Sequence, residues 1–276
     1  MAVYRGLDVG TETPRCSPAP WHLIDIADPS EDFSVAQFQA AARRALAGIH
    51  GRDHLAVLVG GTGLYHRAVL DDLQLPGRYP EVAAALEAGL ALEPRLHRLY
   101  ERLAELDPLA ASRIEPNNAR RIVRALEVTL GSGKPYSSFG PGLEHYAPAP
   151  ARLVGLALGR RELDQRLEDR LEREMEAGFL DEVATLSIRG GGLSRTARQA
   201  IGYRELLQVV EDGESLADAK VAIMRRLKSH ARRQEAWFRR DKRVTWLPAD
   251  DPHLVEAVLE CWRGASESPS WETEGS

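Results

Sequence analysis

An apolar run that stops on glycines, Leu55-Ala-Val-Leu-Val-Gly-Gly-Thr-Gly-Leu-Tyr65, constrains this chain most. Its first five residues read as a strand buried on both faces, the kind a parallel sheet uses. A strand that ends on glycines lets backbone amides approach a ligand closely. In an open α/β sheet, ligands sit at the carboxyl ends of the strands, so Thr62 would point its hydroxyl into that crevice. A tight turn with no ligand gives the same pattern, and the motif alone leaves both readings open.

The flanking sequence repeats a strand–helix rhythm. Residues 21–26, Trp-His-Leu-Ile-Asp-Ile, read as a short strand. Ser34 and Gln37 make a capping box that opens a helix ending near Gly51. A second helix follows the glycine turn through Tyr65 and Val69. This alternation predicts a parallel α/β sheet. It breaks at Leu75–Pro80. Glu81–Leu106 is helical in pattern, Asp107-Pro108 restarts a helix, and Asn117-Asn118 caps another that ends at Gly131. Helices without an intervening strand predict a helical insertion over 81–150, set into an α/β core of 1–80 and 151–263. Leu153–Leu158 reads as a returning strand. Leu163, Leu167, Leu171 and Met175 mark a long helix, and Val244–Leu247 a last short strand. Residues 264–276, rich in Ser, Glu and Gly, read as a disordered tail.

No apolar stretch in the 276 residues approaches a membrane span, and residues 1–20 lack the pattern of a signal peptide. A cytoplasmic protein with no membrane partner, and a monomer, is expected. Cys16 and Cys261 have no metal-ligand spacing. Net charge is −5, yet residues 220–243 carry ten basic residues against Glu235 and Asp241. That stripe is either a phosphate-binding face or a solvated helix surface.

Arg120, Arg121 and Arg124 lie in one helix at helical spacing, above the apolar stripe Ile122, Leu126 and Leu130. Guanidinium groups grip phosphates bidentately; ion pairs with Glu115 and Glu127 are the competing reading. Gly131-Ser-Gly-Lys-Pro135 imitates a phosphate loop, but a helix precedes it and Pro135 follows the lysine, so the pattern fails. His230 and Trp237, seven apart in the basic helix, read as half-buried packing. Arg233 and Gln234 between them are candidates to face the crevice. Gln199 and Tyr203 stand one turn apart in an ordinary amphipathic helix.

Several segments, in order, resemble the tRNA dimethylallyltransferase (isopentenyltransferase) family. They are Val3-Tyr-Arg-Gly-Leu-Asp-Val-Gly-Thr11, His22-Leu-Ile-Asp-Ile with Asp28-Pro and Asp32-Phe-Ser, and Gly60-Gly-Thr-Gly-Leu-Tyr65. Asp107-Pro and Arg113-Ile follow. The most specific run is Pro116-Asn-Asn-Ala-Arg-Arg-Ile-Val-Arg-Ala-Leu-Glu127 with Gly133-Lys-Pro135. Gln199-Ala-Ile-Gly-Tyr203, Arg232-Arg-Gln234 and Trp237-Phe-Arg239 close the series. The resemblance implies a nucleotide-binding, P-loop-type α/β core with a helical insertion that grips the tRNA anticodon stem-loop. It implies transfer of a dimethylallyl group from dimethylallyl diphosphate to N6 of the adenosine 3′ to the anticodon, with Mg2+ assisting the departing diphosphate. Thr62 would be catalytic and contact the target nucleotide. Met1, Ala2, Arg120, Arg121, Ile122, Val123 and Arg124 would bind tRNA. Asp8, Thr11, Gln199 and Tyr203 would line the diphosphate and prenyl channel, and no metal ligand is assigned.

The match also departs from the family. Ala2 replaces a usual glutamine, Thr13 a usual lysine and Trp21 a usual histidine. The family's first strand, phosphate loop and general-base carboxylate map upstream of the residue matching Met1. A chain lacking them is expected to be inactive, or nearly so, as written. A non-catalytic tRNA-binding remnant is therefore the alternative, and a P-loop kinase acting on a small molecule a more distant one.

Overall fold

The computed structural model describes residues 1–14, 18–88, 95–140, 142–143, 145–148 and 151–263. The expected tail, 264–276, lies outside them. In chain order, α1 (Val35–His50) and α2 (Gly63–Leu70) come first. Then follow α3 (Pro80–Glu87), α4 (Arg95–Leu106), α5 (Pro108–Arg113) and α6 (Ala119–Ser132). The chain continues with β1 (Leu153–Ala157), α7 (Arg160–Glu176), α8 (Phe179–Ser187), α9 (Tyr203–Asp212), α10 (Leu216–Phe238), β2 (Val244–Pro248) and α11 (Leu254–Arg263). Contacts group these into a core unit, 1–70 with 149–276, and an insertion unit, 71–148.

In the core unit β1 and β2 pair in parallel, Leu153 opposite Val244 through Ala157 opposite Pro248. Gly155 faces Trp246, whose ring would lie 2.9 Å from any Cβ there. The intervening helices form the crossover that a parallel pair requires. A single parallel bridge joins Tyr4 to Ala27. Leu7, Leu171, Phe179, Val183, Tyr203, Leu206 and Ile223 fill the core. Across its surface α7 and α10 are laced by Lys220–Glu172 and Lys228–Glu168 ion pairs.

Two expected strands do not form. In 21–26, Leu23 and Asp25 take left-handed φ angles of 64° and 54°, which bend the segment, and only Ala27 just beyond it bridges. Residues 55–59 belong to no ladder among the described residues, and Leu55, Val57 and Val59 are 73%, 72% and 68% exposed. A strand buried on both faces needs a neighbour along each edge; without one, the apolar composition cannot bury itself. The capping box does form, with Ser34 N donating to Gln37 Oε1 (2.8 Å) and Gln37 N to Ser34 Oγ. Helices α8 and α11 had no reading from the sequence.

The insertion unit is built round α6. Ile122, Ala125 and Leu126 pack with Leu103, Ala110 and Ala111. Asp107 caps α5 at Ala110 N and also accepts from Ser137 N and Oγ, tying the segment after α6 to the start of α5. The division falls at 70/71, not at the expected 80/81. Residues 76–79 are bound to α6: Arg124 Nη2 donates to the carbonyls of Pro76 (2.8 Å) and Gly77 (3.0 Å), and Tyr79 N donates to Glu127 (2.9 Å).

Candidate functional site

The glycine turn is shaped by α10. A Cβ on Gly61 would overlap the amide of Gln234, and one on Gly63 would overlap the indole of Trp237. These glycines are therefore required by helix packing, and the close approach is to α10. Trp237 takes the packing role its spacing suggested. His66 Nε2 donates to the Gly60 carbonyl (2.8 Å) while its ring meets Phe238 edge-on. A carbonyl only accepts, so Nε2 carries the proton. Burial lowers the His66 pKa, with the Gly60 carbonyl opposing. Thr62 gives its carbonyl to Tyr65 N and His66 N and leaves its hydroxyl exposed at the tip of the turn.

The next turns of α10 carry positive charge. His230 is held below its usual pKa by burial first, then by Arg233, Arg226 and the Met1 amino group. Ala2 uses its carbonyl to accept from Asp25 N. Arg226 is tied to Glu205 and to the Gln199 carbonyl, so Gln199 is fixed through its backbone while its side chain lies in an exposed residue. Five of the ten cations in the basic stripe are paired: Lys220, Arg226, Lys228, Arg239 and Arg243. Arg225, Arg232, Arg233, Arg240 and Lys242 are exposed, with no carboxylate partner among the described residues. The stripe is thus half scaffold and half free charge.

The Asp8–Thr11 segment is a 3-10 turn whose amides face inward. Glu182 Oε2 accepts from Asp8 N (3.0 Å) and Val9 N (2.8 Å). Tyr203 donates to the other oxygen of the same carboxylate. Tyr203 is 0% exposed, so the expectation that it lines a channel is corrected: it stands behind the turn as a core residue. Burial, then Glu182, pushes its pKa far up. Thr11 Oγ1 donates to the Leu7 carbonyl. Asp8 borders a cleft of about 380 Å³ with Glu12, Thr13, Arg173 and Glu174.

In the insertion unit the expected RNA-binding run divides. Arg120 and Arg121 are exposed, with no ion pair among the described residues. Ile122 and Val123 are 0% and 5% exposed, so their side chains pack inward and do not face RNA. Arg124 is also corrected: it pairs with buried Glu127 (2.7 Å) and the two carbonyls above, which leaves it structural. One-residue steps on a helix rotate by about 100°, so a contiguous motif cannot all face one way. Glu182 and His66 escaped the sequence reading because their partners lie in other elements, whereas the ion pair of Arg124 with Glu127 is the competing reading the sequence had offered.

The chain is an α/β core interrupted by a helical unit, and the core's threonine-tipped glycine turn packs against the cationic α10. The family model described as IPP transferase matches residues 2–241, and the chain belongs to that family. It is 46% identical over 270 residues to a tRNA dimethylallyltransferase of Kineococcus radiotolerans, covering 94% of this chain and 83% of that protein. A tRNA dimethylallyltransferase of Thermobifida fusca is 44% identical over 264 residues, covering 94% and 81%. Among solved structures, the tRNA isopentenylpyrophosphate transferase of Bacillus halodurans is 34% identical, with a TM-score of 0.67 over 95% of this chain and 84% of that one. A eukaryotic dimethylallyltransferase acting on tRNA shares the fold, with a TM-score of 0.76 at 22% identity over 99% of this chain and 73% of that one.

Proposed function

We propose that this chain transfers a dimethylallyl group from dimethylallyl diphosphate to N6 of the adenosine 3′ to the anticodon in tRNA. The observation that carries the reading is Thr62, whose hydroxyl stands exposed on a turn fixed by Gln234, Trp237 and His66. A hydroxyl held without a protein partner is ready to bond a nucleotide, and a fixed turn avoids an ordering cost when it does. Exposed Arg120 and Arg121 supply phosphate contacts to the stem-loop. The names of the relatives support the same chemistry. Asp8, Thr11 and Gln199 are the residues we assign to the donor side. Among the described residues, no three His, Cys, Asp or Glu side chains converge as a metal site; Mg2+ bound through the donor diphosphate needs fewer protein ligands than that.

A second reading is a tRNA binder that does not transfer, which exposed Arg120 and Arg121 serve equally well. The deciding experiment supplies labelled dimethylallyl diphosphate and an adenosine-containing anticodon stem-loop to the 276-residue chain. Label in the RNA that is lost in Thr62→Val, with stem-loop affinity retained, supports transfer. Stem-loop binding with no label in the RNA establishes the second reading.

A further inference from the structure

Glu182, at the centre of the clamp on the Asp8–Thr11 turn, lies outside every motif noted in the sequence. Glu182 comes from α8, Tyr203 opens α9, and the turn lies more than 170 residues upstream of Glu182. Oε2 of Glu182 takes two successive backbone N–H groups, and Oε1 takes the Tyr203 hydroxyl. Two consecutive amides, of Asp8 and Val9, are thus held by one carboxylate that also takes the Tyr203 hydroxyl. The backbone at Gly10 is pressed against Phe179 and Tyr203 so closely that no Cβ fits. Phe179 and Tyr203 brace each other edge-on at 4.9 Å. Successive amides of this kind form a concavity that favours an anion, and here the protein's own carboxylate fills it. The amides of the turn therefore do not cradle a phosphate themselves.

We propose that Glu182 is a positioning residue: with Tyr203 it fixes the orientation in which the turn presents Asp8 and Thr11 to the donor diphosphate. The inference rests on the donor-side assignment made under the proposed function. Glu182 touches no reacting atom in this scheme. It acts through the turn, so its loss degrades the geometry of donor binding and leaves the tRNA contacts of the insertion unit intact. Small misplacements of a reacting group carry large rate penalties.

Glu182→Gln keeps the size of the side chain. Its carbonyl oxygen can still accept from the two amides, but as a neutral acceptor, and its NH2 makes Tyr203 accept where it donated, so the charge-assisted bonds are lost. Tyr203→Phe removes the hydroxyl alone. The expected result is a fall in kcat on the order of tenfold or more in Glu182→Gln, with KM for the stem-loop unchanged and folding still cooperative. Amide exchange at Asp8 and Val9 should quicken by about tenfold in both variants. Combined with Asp8→Asn, Glu182→Gln should add little further loss, because both act through one turn. Unchanged kcat in Glu182→Gln overturns the inference alone, as does unchanged exchange at the two amides. A stem-loop KM that rises in step with the fall in kcat overturns it in favour of a general loss of structure. A wild-type chain with no transfer overturns the reading on which it rests.

Discussion

The two units treat their apolar and charged groups differently. The insertion unit closes on itself. Buried Glu127 is met by Arg124, Tyr79 N and Arg78, and Gly131 is covered by the Tyr79 ring. The core unit closes its α7–α10 side equally well, yet exposes Leu55, Val57 and Val59 to water. The contrast between β1 and residues 55–59 is sharper still. Both are short apolar runs, but β1 has β2 along one edge and 55–59 has no ladder among the described residues. Hydrogen-bond partners, rather than hydrophobicity, separate a strand from an exposed extended segment.

Arg124→Ala should produce the largest effect. It strips a buried carboxylate of its main counter-charge and also loses two carbonyl contacts. Breaking such a pair costs about 3 kcal/mol, and the loss should appear as early unfolding of residues 71–148 in residue-resolved amide exchange, with the core unit unaffected. Uniform destabilisation of both units would break the comparison.

Arg120→Ala and Arg121→Ala should do the reverse, leaving stability alone and weakening stem-loop binding. Each lost phosphate contact reduces the salt slope by about one unit. A salt titration of stem-loop affinity checks this, and a slope identical to wild type removes these two arginines from the RNA surface.

The core unit should also lose stability on mild acidification. His66 has a lowered pKa when folded, so the unfolded chain takes up the proton first. Its contribution is fully present above the unfolded value, about 6.5, and declines as pH falls through it. His230 carries the same sign. His66→Gln keeps a donor for the Gly60 carbonyl and should flatten the stability profile between about pH 7 and 5. An equally steep profile would assign the slope elsewhere.

Val57→Lys should have the smallest effect on stability, within about 0.5 kcal/mol, because its side chain is already in water. It should raise solubility by placing a charge in an apolar extended run. Strong destabilisation would show that residues 55–59 are paired in solution.

Much of the helical layout was legible from local chemistry. Ser34 with Gln37, Asp107 with Pro108 and Asn118 each mark a helix start with a side chain that accepts backbone N–H groups nearby. Those bonds span three residues and need nothing else. The strands at 153–157 and 244–248 were legible too. The site was legible at Thr62, through its glycines, but the reason for those glycines was not: Gln234 and Trp237 lie about 170 residues away. Burial inside the motif was only partly legible: the apolar stripe already turned Ile122 inward, but Val123 and Arg124 were grouped with Arg120 and Arg121 although the helix turns them inward too.

By itself, the sequence determined the helix starts, the break between an α/β rhythm and a helical insertion, and the ordered motifs that mark the family. These depend on contacts within a few residues or on residue identity alone. Only the tertiary structure decided which arginines are free, why the turn at Gly61 and Gly63 excludes side chains, and that Glu182 holds the amides of Asp8 and Val9 together with the Tyr203 hydroxyl. Each of those depends on which distant side chain the packing brings within hydrogen-bond or van der Waals reach.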